Sequence, residues 1–183
     1  MKNILAHRAL WAACLVLFLF ASCKKDIEEL PPATQTGAHT FGAKVDGNLW
    51  IPQGFGVFPA NDILEARFTG PTSIMINARN FAKSPTETEF EIYIVNVTGP
   101  GTYVFNTDVV RASATTNYAY YVKRELAPQN EWQTSSTHTG SVTITKLDVV
   151  NNIISGTFQF NALNLYNSPQ PISVTEGRFD IKL

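Results

Sequence analysis

The chain has 183 residues, of which 44% are hydrophobic and 16% charged, proportions that suit a folded globular protein and exclude a disordered one. Its 14 basic and 15 acidic residues nearly balance, and no basic run occurs after residue 38, so nucleic-acid binding has no electrostatic signature. Both cysteines, Cys14 and Cys23, lie near the amino end, which leaves the rest of the chain without a disulfide or a thiolate metal site.

The amino-terminal stretch has the pattern of a secretory signal. Lys2 and Arg8 precede an uncharged segment, residues 9–21, that consists mostly of Leu, Ala, Phe and Val. This segment is too short for a transmembrane helix, which needs about 20 apolar residues. We therefore predict a signal peptide over residues 1–22. Its removal leaves 12 basic and 15 acidic residues, a net charge of −3.

The signal ends in Phe20-Ala21-Ser22-Cys23, which resembles the lipobox of bacterial lipoproteins, with Phe20 where the pattern usually has Leu. In that family the chain is cut before the cysteine, which then carries acyl groups such as palmitate on its sulfur and its new amino group. The resemblance implies lipidation of Cys23 and anchoring in the lipid bilayer of the cell envelope. Several acyl chains hold a protein firmly, whereas one binds only marginally.

A charged and proline-containing segment follows the cysteine. Residues 24–29 (KKDIEE) are similar to the acidic export tag of Bacteroidota lipoproteins, which directs them to the outer face of the outer membrane; a solvated linker explains the run equally well. Residues 30–37 show no periodicity. We expect residues 23–38 to be the lipidated cysteine with a flexible linker, and the protein to reside in the outer membrane, on its surface-exposed or its periplasmic face.

Alternation of apolar and polar residues dominates residues 39–183 and predicts a single all-β domain. The expected fold is an antiparallel β-sandwich or flattened barrel of about ten strands, with a lipocalin-like closed barrel as the alternative. The predicted strands are 40–45, 49–51, 63–69, 73–80, 89–97, 102–105, 117–124, 140–147, 153–162, 172–174 and 178–183.

Several local features follow from the same pattern. Asp46-Gly47-Asn48 predicts a tight turn, and the strand at 89–97 is expected to be central because both of its faces carry apolar residues. Gly156 indicates a bulge or a close backbone approach. Glu176-Gly177 is expected to end a short strand. Residues 126–139, which are polar and contain a proline, predict a long loop.

The two ends of the domain, FGAKVDGNLWIP and HTGSVTITKLDVVNNIISGTFQFNA with VTEGRFDIKL, resemble a family of uncharacterised Bacteroidota lipoproteins (DUF6252-like). The likeness spans His39–Pro52 and His138–Leu183. These motifs consist of strand and turn residues, so they are specific for the fold. The family has no assigned reaction, and the resemblance implies nothing about activity.

Chemistry-bearing motifs are absent from the sequence: it contains no H-E-x-x-H, no G-x-S-x-G and no phosphate-binding glycine loop. His39 and His138 fall at the linker exit and in a polar loop, where histidines are more often without a function. Glu89 and Glu91 share a strand face at about 7 Å, within the range that glycoside hydrolases use, but solvated strand faces carry the same pattern. We therefore expect no enzyme, no cofactor and no metal site.

Aromatic residues provide the remaining lead. Trp132 lies in the predicted polar loop, and together with Tyr121 it is expected to form an exposed platform for sugar rings or aromatic groups; Trp50 is expected in the core. The first hypothesis is a binding module for a glycan, a peptide or an envelope protein. The second is a structural or assembly lipoprotein without a small ligand. The sequence does not separate these two, and a hydrolase is less favoured than either.

Overall fold

The computed structural model describes residues 28–54, 62–82, 86–124, 130–166 and 170–183. The predicted signal peptide and Cys23 lie outside these ranges. The described part contains eleven strands and one short 3-10 helix, Arg111–Ser113, and no helix there is long and apolar enough to cross a membrane. The strands are β1 (Thr40–Val45), β2 (Asn48–Trp50), β3 (Leu64–Phe68), β4 (Ile74–Asn80), β5 (Glu87–Ile94), β6 (Gly101–Phe105), β7 (Tyr118–Arg124), β8 (Asn130–Gln133), β9 (Gly140–Asp148), β10 (Ile153–Asn164) and β11 (Ile172–Lys182).

All of these strands belong to one antiparallel sheet that curls strongly on itself. The strand order is β2-β1-β11-β10-β8-β7-β5-β4-β3, with β9 and then β6 branching from β10. The branch arises because β10 is 12 residues long: it pairs with β9 up to Phe160 and with β8 at Leu163 and Asn164. The two halves of the sheet face each other as a half-barrel, which confirms the predicted all-β sandwich or flattened barrel. The described path of paired strands ends at β2 and at β3, and an isolated bridge between Gln53 and Asn80 connects the chain after β2 to the end of β4.

Phe90 of β5 lies at the centre of the core and joins the two halves of the sheet. Its ring centroid is 4.6 Å from that of Trp50, 5.6 Å from that of Phe41 and 6.1 Å from that of Phe158. All four side chains are buried, as expected for Trp50. Strand alternation places these rings on the inner face, and large aromatic side chains contribute most of the apolar area that such a core removes from water.

The central position of β5 is confirmed, and its outer face is partly covered as well. β5 lies between β7 and β4, and a second small cluster packs on the side away from the main core. In that cluster Tyr93 of β5 contacts Tyr118 of β7, with ring centroids 5.4 Å apart. The connection between β6 and β7 folds over this face, where the guanidinium of Arg111 lies 4.0 Å from the ring centre of Tyr120.

Two of the predicted backbone features are confirmed. Asp46 and Gly47 have φ angles of +48° and +79° and form the tight turn between β1 and β2. The pairing of β10 with β9 shifts register between Ser155 and Gly156. A side chain at Gly156 would collide with the backbone carbonyl of Thr143, so this position is both a bulge and a close approach.

Two other local predictions are wrong. The predicted loop at 126–139 contains β8, whose polar sequence of four residues is too short to show alternation; it forms because β7 and β10 both pair with it. The predicted break at Glu176-Gly177 is a bulge inside the continuous strand β11. Glu176 has a φ of +53° there, and Gly177 lies against the ring of Phe158.

The segment before β1 is bound to the sheet by Asp180 of β11. Asp180 is 1% exposed, and its carboxylate accepts six hydrogen bonds. The donors are Thr34 Oγ1 (2.6 Å), Thr36 N (2.9 Å), Thr36 Oγ1 (3.4 Å), Gly37 N (2.8 Å), Ala38 N (3.1 Å) and Ser155 Oγ (2.7 Å). The expectation of a flexible linker therefore does not hold for residues 34–38.

The same segment also packs on β1. A Cβ atom at Gly42 would lie 2.7 Å from Cδ of Pro31 and 3.1 Å from Cδ2 of Leu30. Leu30 and Pro31 therefore lie directly against the backbone of β1. Only a residue without a side chain permits so close an approach. We call residues 30–38 the strap; it is part of the folded body although its composition resembles that of a linker.

Candidate functional site

A cleft opens between the β1–β2 hairpin on one half of the sheet and strands β7 and β8 on the other. Its volume is about 360 Å³, and an adjoining hollow of about 290 Å³ shares its central wall. Three aromatic and three polar side chains give the cleft its character. They are Trp50, Tyr121, Trp132, Asp46, Asn48 and Lys123. We call this site the hairpin cleft.

Asp46 fixes the hairpin that forms one wall of the cleft. Its backbone amide donates to the carbonyl of Ser173 at 2.8 Å, and its carboxylate accepts from the Ser173 amide at 2.8 Å. These two contacts tie the tip of the β1–β2 turn to β11. The positive φ values at Asp46 and Gly47 match the right-handed twist of the two strands. The turn is therefore stabilised both by its own backbone conformation and by the hydrogen bonds to Ser173.

Tyr121 and Trp132 form the opposite wall. They are cross-strand partners on β7 and β8, and their ring centroids are 5.8 Å apart. The indole Nε1 of Trp132 donates to the carbonyl oxygen of Gln170 at 3.0 Å, which fixes the ring plane. The structure thus brings together the two residues that the sequence analysis selected as a binding platform.

Their exposure differs from the prediction. Tyr121 is only 7% exposed, because its ring packs against Phe90 at a centroid distance of 4.8 Å. Trp132 is half-buried against the core. The prediction of two freely exposed rings is therefore wrong. Pairing of β8 with β7 turns the indole inward, and the two side chains form a wall of the cleft instead of an open platform.

Hydrogen bonds behind the wall hold these rings in place. Trp50 Nε1 donates to Thr88 Oγ1 at 2.8 Å, and the Tyr121 hydroxyl shares the same threonine. Burial raises the pKa of Tyr121 to about 12; the bond with Thr88 opposes the rise, and the negative charge of Asp46 adds to it. Tyr121 is therefore a neutral phenol at physiological pH, and the cleft offers fixed aromatic surface beside an acidic, an amide and a basic side chain.

The carboxylate pair considered from the sequence lies elsewhere, on the outer face of β5. Glu89 binds Arg79 and Arg124 at 3.2 and 3.1 Å. Glu91 accepts from the Tyr118 hydroxyl at 2.7 Å and lies 3.4 Å from a guanidinium nitrogen of Arg111. Because both carboxylates are engaged in this way on the side away from the core, they do not face the hairpin cleft.

The two histidines are in separate surroundings. His39 lines a small apolar groove beside the start of β1, and His138 lies in the connection between β8 and β9, with Nδ1 3.1 Å from the hydroxyl of Thr137. Among the described residues, no three His, Cys, Asp or Glu side chains come close enough together to hold a metal ion.

Asp180 is the residue that the sequence analysis missed. Its neighbours Phe179 and Ile181 are buried in the core, so Asp180 faces the outer side of β11, and the strap covers that side. Burial acts to raise its pKa, and hydrogen bonds led by those from Thr34 and Ser155 outweigh that effect and hold the pKa well below its ordinary value. The run Thr34-Gln35-Thr36-Gly37, rich in small donors, was the available signal.

Comparison with known proteins gives a family and no function. No curated protein and no solved structure matches the chain. The family described as "Domain of unknown function (DUF6252)" matches residues 37–180, which is most of the chain. The match begins at Gly37, within the strap, and ends at Asp180, its partner on β11. The chain therefore belongs to the DUF6252 family.

Proposed function

We propose that this protein is a lipid-anchored lipoprotein of the bacterial cell envelope, and that its β-domain binds a ligand in the hairpin cleft without catalysing a reaction. The observation that carries the proposal is the cleft itself. Fixed aromatic rings beside a few polar side chains, in a concavity of about 360 Å³, have the size and composition typical of small-ligand sites.

The ligand class that suits this lining best is a glycan. A sugar ring presents an apolar face that packs on an indole or phenol ring, and its hydroxyl groups need both donors and acceptors. Asp46 supplies an acceptor, Lys123 a donor and Asn48 both, from the two sides of the cleft. A peptide segment is the second class that these groups fit, since it also combines apolar side chains with backbone donors and acceptors.

Intrinsic fluorescence provides the test. The sequence has three tryptophans, and removal of the signal leaves Trp50 and Trp132, both of which line the hairpin cleft. We expect envelope oligosaccharides to change the emission of the mature protein in a saturable way. Trp132→Ala should abolish binding, measured independently by calorimetry. The matched control is Phe68→Ala, which removes a 43% exposed ring from β3, outside the cleft.

Two results would contradict this proposal. If oligosaccharides produce no saturable change in emission and peptides do, the ligand is a peptide and not a glycan. Equal affinities for the wild-type protein and Trp132→Ala would exclude the cleft as the site.

The anchoring has its own test. Cys23→Ser removes the sulfur that the lipobox resemblance assigns to lipidation, so we expect the variant to leave the membrane fraction while the wild-type protein stays in the outer-membrane fraction. Digestion by protease added to intact cells distinguishes the surface-exposed from the periplasmic face. A Cys23→Ser protein that remains in the membrane fraction would rule out this anchor.

A second candidate function, assembly with another envelope protein, is favoured by a group of exposed apolar side chains at the end of β10. Leu163 is 38% exposed, and Leu165 and Tyr166 are each 52% exposed. Exposed apolar patches occur where proteins associate. Leu165→Asp should abolish co-purification of a partner if this function is correct, and should leave the response of the hairpin cleft unchanged.

A further inference from the structure

The strap and the β9–β10 turn lie at the same end of the sheet. Thr40, which begins β1, is opposite Asp180 of β11, and Asp180 is opposite Ser155 near the start of β10. Gly37 in the strap packs against Ile153, the first residue of β10. The turn at residues 149–152 therefore projects beyond the edge along which the strap is bound. We call this the anchor end.

Two adjacent valines form the tip of that turn. Val149 is 60% exposed and Val150 is 87% exposed, the highest value among the large exposed hydrophobic residues described. Tight turns favour Gly, Asn, Asp, Ser and Pro, each for a backbone reason, and valine offers none of these. Single exposed apolar residues are common, but two successive ones at the outermost point of a hairpin need a separate explanation.

The backbone of the turn does not depend on these valines. The carboxylate of Asp148 accepts from the backbone amide of Asn151 at 3.0 Å and from its side-chain amide at 2.8 Å. Asn152 takes the left-handed conformation with a φ of +55°, and its carbonyl accepts from the amide of Leu183 at 2.7 Å. The turn geometry thus comes from polar residues on either side, and the two valines are left to face outward.

The chain leading from Cys23 reaches the domain at this end. Glu29 and Pro31 lie beside His39 and Thr40 at the start of β1, and the strap is bound from there onward. Only four residues, 24–27, lie between Cys23 and Glu28, the first described residue, so five Cα–Cα steps connect the two. Even fully extended, these five steps span no more than roughly 18 Å. A lipid on Cys23 therefore holds the anchor end close to the bilayer surface.

The hairpin cleft lies at the opposite end. Ile172, which lines the cleft, is opposite Ala162, and Ile153 begins the same strand β10 nine positions earlier. At about 3.3 Å per residue, the two ends are roughly 30 Å apart along the strand. A domain that rests on its anchor end presents the cleft away from the membrane.

We propose that the β9–β10 turn is a membrane contact: Val149 and Val150 enter the interfacial region of the phospholipid bilayer that carries the anchor. The exposed Lys182, whose strand partner is Ile153, lies at the same end and places a positive charge at headgroup level. This contact and the short tether together orient the domain with the hairpin cleft outward. The inference rests on the lipid anchor in the proposed function.

Site-specific fluorescence on the lipidated full-length protein tests the contact. Beyond the anchor residue the mature chain has no cysteine, so Val150→Cys introduces a single site for a thiol-reactive fluorophore. The matched control is Ser173→Cys, an exposed position on β11 beside the β1–β2 turn at the other end. Both labelled proteins are reconstituted into phosphatidylethanolamine–phosphatidylglycerol vesicles that contain lipids with a quencher just below the headgroup.

We expect the quencher to reduce emission from position 150 about twofold or more, because interfacial groups lie about 5–10 Å into the headgroup and acyl boundary. Emission from position 173 should be unchanged. Adding Val149→Asp to Val150→Cys should restore most of the emission. Quenching at neither position, or at both equally, would overturn the proposal.

Failure of the anchor is distinguishable from failure of the contact. If wild-type and Cys23→Ser proteins distribute identically between membrane and soluble fractions, the anchor is wrong. The same labelled variants are then attached to nickel-chelating lipids through a histidine tag in place of residues 1–23. Quenching at position 150 alone would still support the contact, and its absence would overturn the contact independently of Cys23.

Discussion

Replacing Asp180 by Asn tests whether the strap is part of the folded body. The amide keeps the shape of the carboxylate but removes its charge and turns one acceptor into a donor. Each hydrogen bond that remains becomes weaker by about 1 kcal/mol, the difference between charged and neutral acceptors. The new NH₂ group faces a backbone amide or a hydroxyl across a distance of 2.6–3.1 Å, and an unsatisfied buried donor costs about 1–3 kcal/mol.

These contributions predict a loss of about 3–5 kcal/mol in the free energy of unfolding. For a domain of this size the midpoint of thermal unfolding should fall by roughly 10 °C or more. Urea unfolding of the mature protein, followed by tryptophan emission and circular dichroism, measures the loss directly. The matched control is Glu176→Gln on the same strand, whose ion pair with Lys44 is exposed to solvent and is expected to contribute less than about 1 kcal/mol.

A double-mutant cycle assigns the loss to the strap. A protein that begins at His39 lacks five of the six hydrogen bonds to Asp180, and the carboxylate becomes accessible to water. In that background, Asp180→Asn should change the free energy of unfolding by less than about 1 kcal/mol. An equal loss in both backgrounds, or a full-length Asp180→Asn protein as stable as the wild type, would refute the reasoning.

Three further predictions follow from the described contacts. The folded pKa of Asp180 is below its unfolded value of about 3.9, so the stability that its carboxylate contributes is present above about pH 4 and is lost as the pH falls toward the folded pKa. Between about pH 5 and pH 2.5, the urea midpoint should therefore fall more for the wild-type protein than for Asp180→Asn. Parallel curves of urea midpoint against pH for the two proteins would contradict this prediction. Trp132→Ala should reduce the free energy of unfolding by about 2–3 kcal/mol, a smaller loss than truncation of a fully buried tryptophan causes. An unchanged urea midpoint would mean that the Trp132 ring does not pack on Tyr121. Gly177→Ala should lower the free energy of unfolding by more than about 2 kcal/mol, because its Cβ would lie 2.5 Å from the Phe158 ring. The control Gly99→Ala adds a Cβ with no neighbour within 4 Å and should change the free energy of unfolding by less than about 0.5 kcal/mol. Equal urea midpoints for the two variants would contradict the close packing of β11 on β10.

The hairpin cleft shows why a site can be partly visible in a sequence. Trp132 stood out because it is an aromatic residue in a polar stretch, and Tyr121 was predicted to lie with it; the structure does place the two side by side. Their exposure could not be predicted, because it depends on β8, a strand whose four residues carry no alternation and which forms by pairing with β7 and β10. Asp46 was predicted as a turn residue, and its position in the wall of the cleft required the contact with Ser173 on β11.

Alternation by itself determined that this chain forms an antiparallel β-fold, where most strands begin and end, and where the β1–β2 turn lies, because strand periodicity and turn chemistry are encoded in neighbouring residues. Only the tertiary structure decided how the sheet branches at β10, which wall Trp132 joins and what covers Asp180. The hydrogen bond between Thr34 and Asp180 joins residues 146 positions apart. No local pattern can specify such a contact, since it exists only after the sheet has brought both ends of the domain together.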